Sequence, residues 1–164
     1  MAAPARVAVA VLAAAVVALP AASSARPRCR GDVAAVICAI NAQRTAHGLR
    51  VVRGDRSLAA IARAHSVAMV ARRRFAHGDF SARVARTAWA RSRRSWAAGE
   101  TLAWGTGELA TPASTVAAWM ASAEHRAILL DPRFRVVGVG RAFGVPVAHV
   151  SDAGGRTYTA DFGT

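Results

Sequence analysis

Val116-Ala-Ala-Trp119-Met120-Ala-Ser122-Ala-Glu124-His125-Arg126-Ala-Ile-Leu-Leu130 is the stretch from which the rest of the chain is read. Val116, Trp119, Met120 and Ala123 recur at helical spacing and predict one apolar stripe. Thr111 supplies a cap and Pro112 a first-turn residue, the usual start signal of a helix. The dense polar knot at Ser122, Glu124, His125 and Arg126 ends that helix near Ser122 and sets His125 just beyond a buried face. A histidine so placed is either a structural donor or part of a site.

Upstream, Val7 to Leu19 is an apolar run of 13 residues, broken by Pro20 and followed by Ser23-Ser24-Ala25. That is short for a bilayer span and reads as a secretory signal peptide over residues 1–25, cut after Ala25; an uncleaved membrane anchor is the alternative. Residues 26–32 then form a short lead carrying Cys29, and residues 33–164 one domain, long enough to build a core. Cys29 and Cys38 suit an oxidising compartment. With a helix starting near Asp32, Cys38 lies about 9 Å along it, within the roughly 10 Å that three extended residues span. The two can therefore bond.

All 22 basic residues are arginine, against nine acids, for a net charge of +13. Such a surface favours anionic partners: envelope polymers, lipid headgroups or nucleic acid. Eight arginines between Arg72 and Arg94 interleave with Phe75, Phe80 and Trp89. The aromatics fall at core-like helical spacing, which argues against a nucleic-acid surface.

In chain order, Asp32 is expected to cap a first helix with the stripe Val33, Val36, Ile37, Ile40 and Arg44, stopped at Gly48. Leu49 to Arg53 is an extended link. Asp55 caps a second helix with the stripe Leu58, Ile61, Ala62, His65 and Met69, on which His65 reads as a core histidine. Ser81 to Arg91 suits a third helix. Ser95 to Trp104 is a buried strand in which Glu100 needs a partner, since an unpaired carboxylate there is costly. Val136–Phe143, Val145–Ser151 and Thr157–Phe162 are three further strands, the last two joined at Asp152-Ala153-Gly154-Gly155. Helices first and antiparallel strands late make an α+β pattern.

The landmarks Asn41-x-x-Arg44, His65-Ser66-x-x-Met69, Phe75-x-His77, Gly99-Glu100, Trp119-Met120-x-Ser122-x-x-His125-Arg126, Val137-Gly138-Val139-Gly140 and Tyr158-Thr159-x-x-Phe162 resemble, in order and spacing, the bacterial branch of the CAP superfamily. That superfamily is named for cysteine-rich secretory proteins, antigen 5 and plant pathogenesis-related proteins. The resemblance covers residues 33 to 163. It implies an α-β-α sandwich, with a small antiparallel sheet between helices and a cleft on one side. It also implies that His77, Glu100 and His125 line the cleft. Glu124 is the only acid near the fourth cleft position, but it directly precedes His125 and need not point the same way. Thr101 stands where the family usually has asparagine.

Two imidazoles and a carboxylate are a ligand set suited to Zn or another divalent cation. The same groups could instead hold one another by hydrogen bonds. No Gly-x-Ser-x-Gly elbow, phosphate loop or Cys-x-x-Cys is present. The expectation is a secreted monomeric binding module for a small ligand, lipid, glycan or peptide. A zinc-dependent, peptidase-like hydrolase using the same cleft is the alternative. Adhesion of the arginine-rich surface to an anionic envelope polymer is a second.

Overall fold

Gly138 and Gly140 set how the layers meet. A Cβ at Gly138 would lie 2.1 Å from the Ala59 nitrogen, and one at Gly140 2.1 Å from the Arg63 nitrogen. Only glycine lets a helix backbone lie this close on a strand. The helix is α2 (Arg56–Ala71) and the strand β3 (Val136–Phe143). The structure, a computed structural model, describes residues 29–164; the expected signal segment and its cut after Ala25 lie outside the described residues.

The remaining elements are α1 (Asp32–Ala46), β1 (Arg53–Gly54), α3 (Phe80–Ala85), α4 (Ala88–Arg91), β2 (Ala98–Gly105), a 3-10 turn at Gly107–Ala110, α5 (Pro112–Ala121), α6 (Ala123–Leu129) and β4 (Arg156–Gly163). The strand order is β1-β3-β4-β2. β4 pairs antiparallel with both β3 and β2, while β1 pairs parallel with β3. The sheet is therefore not purely antiparallel. Period-2 alternation sorts the strands. Val137, Val139, Tyr158, Ala160 and Phe162 join Val36, Ile40, Val116, Trp119 and Leu129 in the larger core, under α1, α5 and α6. Leu58, Val84, Trp89, Ala90 and Val136 form the smaller core on the α2 side. The result is the three-layer α-β-α sandwich of an α+β fold.

Two sequence landmarks prove to be fasteners. Asn41 accepts from the Val52 N–H at 2.8 Å and donates to its carbonyl at 3.0 Å, as a neighbouring strand would. Arg44 is fully buried and donates to the carbonyls of Arg50, Leu129, Asp131 and Phe134. Burial lowers its pKa from the ordinary arginine value. The Cys29–Cys38 disulfide is formed, with its Cα atoms 6.1 Å apart, and α1 gives way after Ala46 to Gly48 at φ +70°.

Several expectations are corrected. Asp32 does not cap α1: Gly31 holds that position, and the Asp32 carboxylate instead accepts from Arg141 Nη1 at 2.6 Å and pairs with Arg156 Nε at 2.9 Å. Two guanidinium groups outcompete a backbone N–H for one carboxylate. The helix expected over Ser81–Arg91 is two. Thr87 breaks it in an extended conformation and caps α4 by accepting from the Ala90 N–H. The β2 strand begins at Ala98 rather than Ser95.

Val145–Ser151 is not a strand. Pro146 lacks an N–H for a ladder, and the Val145 N–H is taken by Asp152 Oδ1 at 2.8 Å. Residues 144–155 are thus one long connection between β3 and β4. The α5 stripe also ends early: Met120 is half-buried, and Ala123 is exposed and belongs to the next helix.

Candidate functional site

Glu100 is the hub. It lies on the α2 face of β2, its side chain 2 % exposed. His77, in the loop after α2, places Nδ1 2.8 Å from Glu100 Oε1. Arg83 on α3 pairs its Nη2 with Glu100 Oε2 and donates from Nη1 to the His77 carbonyl at 2.6 Å. One guanidinium therefore fixes both the carboxylate and the loop that carries the imidazole. Asp79 holds α3 in place by accepting from the Ala82 N–H at 3.0 Å. His65 reaches in from α2, with Nε2 3.0 Å from the Ala76 carbonyl and 4.0 Å from Glu100 Oε2. It is therefore not the core histidine expected from the stripe but part of this cluster. Burial lowers its pKa, opposed by Glu100 and assisted by Arg83.

His125 approaches from the other helical layer. Ser122 is extended and ends α5; the same residue then caps α6, its Oγ accepting from the His125 N–H at 3.4 Å. His125 thus stands in the first turn of α6 rather than past the end of a helix. Burial depresses its pKa first, and the His77 imidazole depresses it further, against the exposed Glu124. The two histidines from distant parts of the sequence are therefore electrostatic neighbours. Glu124 acts on His125 through charge, and among the described residues it makes no hydrogen bond or ion pair with Glu100.

The acid that sequence reasoning missed is Asp161. It faces Glu100 across the β2–β4 ladder and is fully buried; as a carboxylate it meets no donor, and protonated it hydrogen-bonds Glu100. Burial, then the adjacent Glu100 carboxylate, push it up to about 9, so it is a neutral acid at pH 7. A signal existed: Thr157, Thr159 and Asp161 alternate with the apolar Tyr158, Ala160 and Phe162, so they share a face. Arg83 was also missed. On the opposite face of β2, the Thr101 hydroxyl is buried without a partner.

These side chains do not fit the three-ligand metal set. Both Glu100 oxygens are engaged, one by imidazole and one by guanidinium. Among the described residues, no group of three or more His, Cys, Asp or Glu side chains is placed to hold a metal ion. Glu100 orients His77 through Nδ1, which leaves Nε2 as the ring nitrogen available to a ligand on a side chain 53 % exposed. His125 adds a second, less accessible imidazole.

A four-stranded sheet between helical layers, with a strand glutamate holding a loop histidine, defines an SCP-type domain. A profile of the cysteine-rich secretory protein family, CAP, matches residues 37–146, and the chain belongs to that family. Three solved structures are similar. One is an extracellular protein containing a SCP domain from Bacillus anthracis, at TM-score 0.60 and 24 % identity over 80 % of this chain. Another is an outer surface protein of Borrelia burgdorferi, at TM-score 0.64 and 20 % identity over 81 %. The third is a cysteine-rich secretory protein of Staphylococcus aureus, at TM-score 0.60 and 15 % identity over 80 %. The match spans 92 % of the Borrelia protein but only 39 % and 37 % of the other two. No curated protein sequence matches the chain.

Proposed function

We propose that this chain is an exported binding module, whose ligand is held at the imidazoles of His77 and His125 with Glu100 as their orienting group. The observation that carries the reading is the double engagement of Glu100 by His77 and Arg83. A buried carboxylate committed to an imidazole and a guanidinium sets the tautomer and direction of the ring. It is poorly placed to act as a metal ligand or as the base of a hydrolase. His77 Nε2 then accepts from, or His125 donates to, a polar group of the ligand; the fold itself names no substrate. Export is supported by the Cys29–Cys38 disulfide, by the apolar run Val7–Leu19 ending in Ser23-Ser24-Ala25, and by the extracellular or surface character stated for the three structural relatives.

The test is calorimetric titration of the secreted protein against three defined probes: chitin-type N-acetylglucosamine oligomers, phosphatidylglycerol vesicles and a casein-derived peptide mixture. Saturable binding to one probe is expected, weakened by about tenfold or more in His77→Ala/His125→Ala, the loss of two polar contacts. Binding that survives this double change but collapses with salt and with Arg91→Ala/Arg94→Ala would move the function to the arginine surface.

A further inference from the structure

A basin of about 420 Å³ opens between α2 and α3, lined by His65, Ala68, Arg72, Gly78, Asp79, Arg83 and Arg86 among others. Arg72 closes α2 and Arg86 closes α3. Both are exposed, and neither has a carboxylate or carbonyl partner for its guanidinium among the described residues. Elsewhere arginines are matched by aspartates: Asp152 by Arg73, Asp131 by Arg133, Asp32 by Arg141 and Arg156. The only carboxylate lining the basin among the described residues is Asp79, whose Oδ1 accepts from the Ala82 N–H. The more buried Arg83 gives both terminal nitrogens to Glu100 and the His77 carbonyl, and its Nε is buried with no acceptor. A smaller depression sharing His65, Ala68, Arg72 and Gly78 adds Arg74. The concavity thus gathers unmatched guanidinium groups from two helices, together with one unsatisfied buried donor.

We propose that this basin is an oxyanion site for a phosphoryl group, held by Arg72 and Arg86 with Arg83 beneath. Guanidinium groups pair with phosphate through parallel N–H···O bonds. Arg72 at the end of α2 and Arg86 at the end of α3 offer donor pairs from two sides, which suits the several oxygens of a tetrahedral anion better than the two of a planar carboxylate. The basin adjoins the imidazole site and shares Arg83 with it, but the proposal does not depend on the imidazoles binding anything.

The experiment titrates inorganic phosphate into the isotopically labelled secreted protein at constant ionic strength, with acetate in a parallel arm. It follows the arginine Nε–H signals and the Gly78 and Ala82 amides by NMR. Saturable one-site shifts are expected. Arg72→Ala/Arg86→Ala should weaken binding by about tenfold, the loss of charge-assisted contacts. Arg91→Ala/Arg94→Ala removes the same charge elsewhere and should change it by no more than about twofold, as screened exposed charges do. His125→Ala, on the other helical layer, should also leave it unchanged, so failure of the imidazole reading and failure of this one are told apart. Non-saturating shifts, equal losses in the two arginine variants, or loss with His125→Ala would overturn the site. Acetate binding as tightly as phosphate would overturn the phosphoryl assignment. Retained amide dispersion in each variant verifies the fold.

Discussion

Glu100 and Asp161 face each other across β2 and β4 and share one buried space, yet only Glu100 has a guanidinium partner, Arg83. Asp161 is the one held neutral, because two buried charges side by side are costly.

Asp161 therefore binds a proton in the folded chain that it releases in the unfolded chain over most of the pH range between its ordinary value of 3.8 and about 9. A raised acid contributes stability that is full below the unfolded value and is lost as pH rises through the folded one. Asp161→Asn keeps the shape and removes the titration. Urea midpoints at several pH values from 5 to 9 should decline less steeply in Asp161→Asn than in the wild type, and the variant should be at least as stable at pH 8. A wild-type curve parallel to that of the variant contradicts the neutral acid.

His65 works in the opposite sense. Its imidazole is depressed in the folded chain, so the unfolded chain takes up a proton first as pH falls. Its contribution is present above the unfolded value of 6.5 and is lost on acidification. His65→Gln should flatten the acid limb of the stability curve below neutral pH. An unchanged acid limb, measured by the same urea titration, would remove His65 from the cluster.

Arg83 decides whether Glu100 is free to meet a metal. The wild type is expected to bind zinc no tighter than about 10 μM at pH 7, as two imidazoles without a carboxylate would. Arg83→Gln releases Glu100 Oε2, and zinc affinity should rise by about tenfold from the added ligand. Calorimetry with both proteins checks this. Tight stoichiometric zinc binding by the wild type would restore the three-ligand reading.

Gly140 has no room for a side chain over Arg63. Gly140→Ala must push α2 off the sheet, and a loss of about 3 kcal/mol is expected from overpacking against backbone. Gly54→Ala, where the nearest atom is a flexible Ile37 methyl at 3.9 Å, should cost less than about 1 kcal/mol. Denaturant melts of the two variants give the comparison.

Arg44 satisfies four carbonyls where α1 meets the α6–β3 turn. Arg44→Met fills a similar volume but leaves those oxygens without their donor, so about 3 kcal/mol is expected to be lost. A loss below about 1 kcal/mol would mean that water replaces the guanidinium.

Much of this was legible from residue order. Glu100 was visible because a carboxylate between apolar strand residues demands a partner, and Asn41-x-x-Arg44 because its spacing repeats a family landmark. The α2 and α5 starts were close because Asp55, Thr111 and Pro112 act locally. The partners were not legible. Arg83 sits in a run of arginines that look alike in sequence, and only the α3 turn started by Asp79 selects it. His65 keeps helical spacing with true core residues; its depth depends on where α2 meets β2, a distant contact. Val145–Ser151 looked like a strand because it is rich in valine, whereas Asp152 takes the N–H that a ladder would use. The division at Thr87 turned on one hydroxyl choosing between two helices.

The strand order β1-β3-β4-β2 also bears on the order in which the fold completes. β4 follows every other described element along the chain, yet it lies between β3 and β2. Until residues 156–163 have emerged, β2 has no strand partner and Glu100 no Asp161 beside it. The sheet therefore closes only when the last strand arrives. The nine-residue Cys29–Cys38 link is local enough to close before any of the sheet has formed.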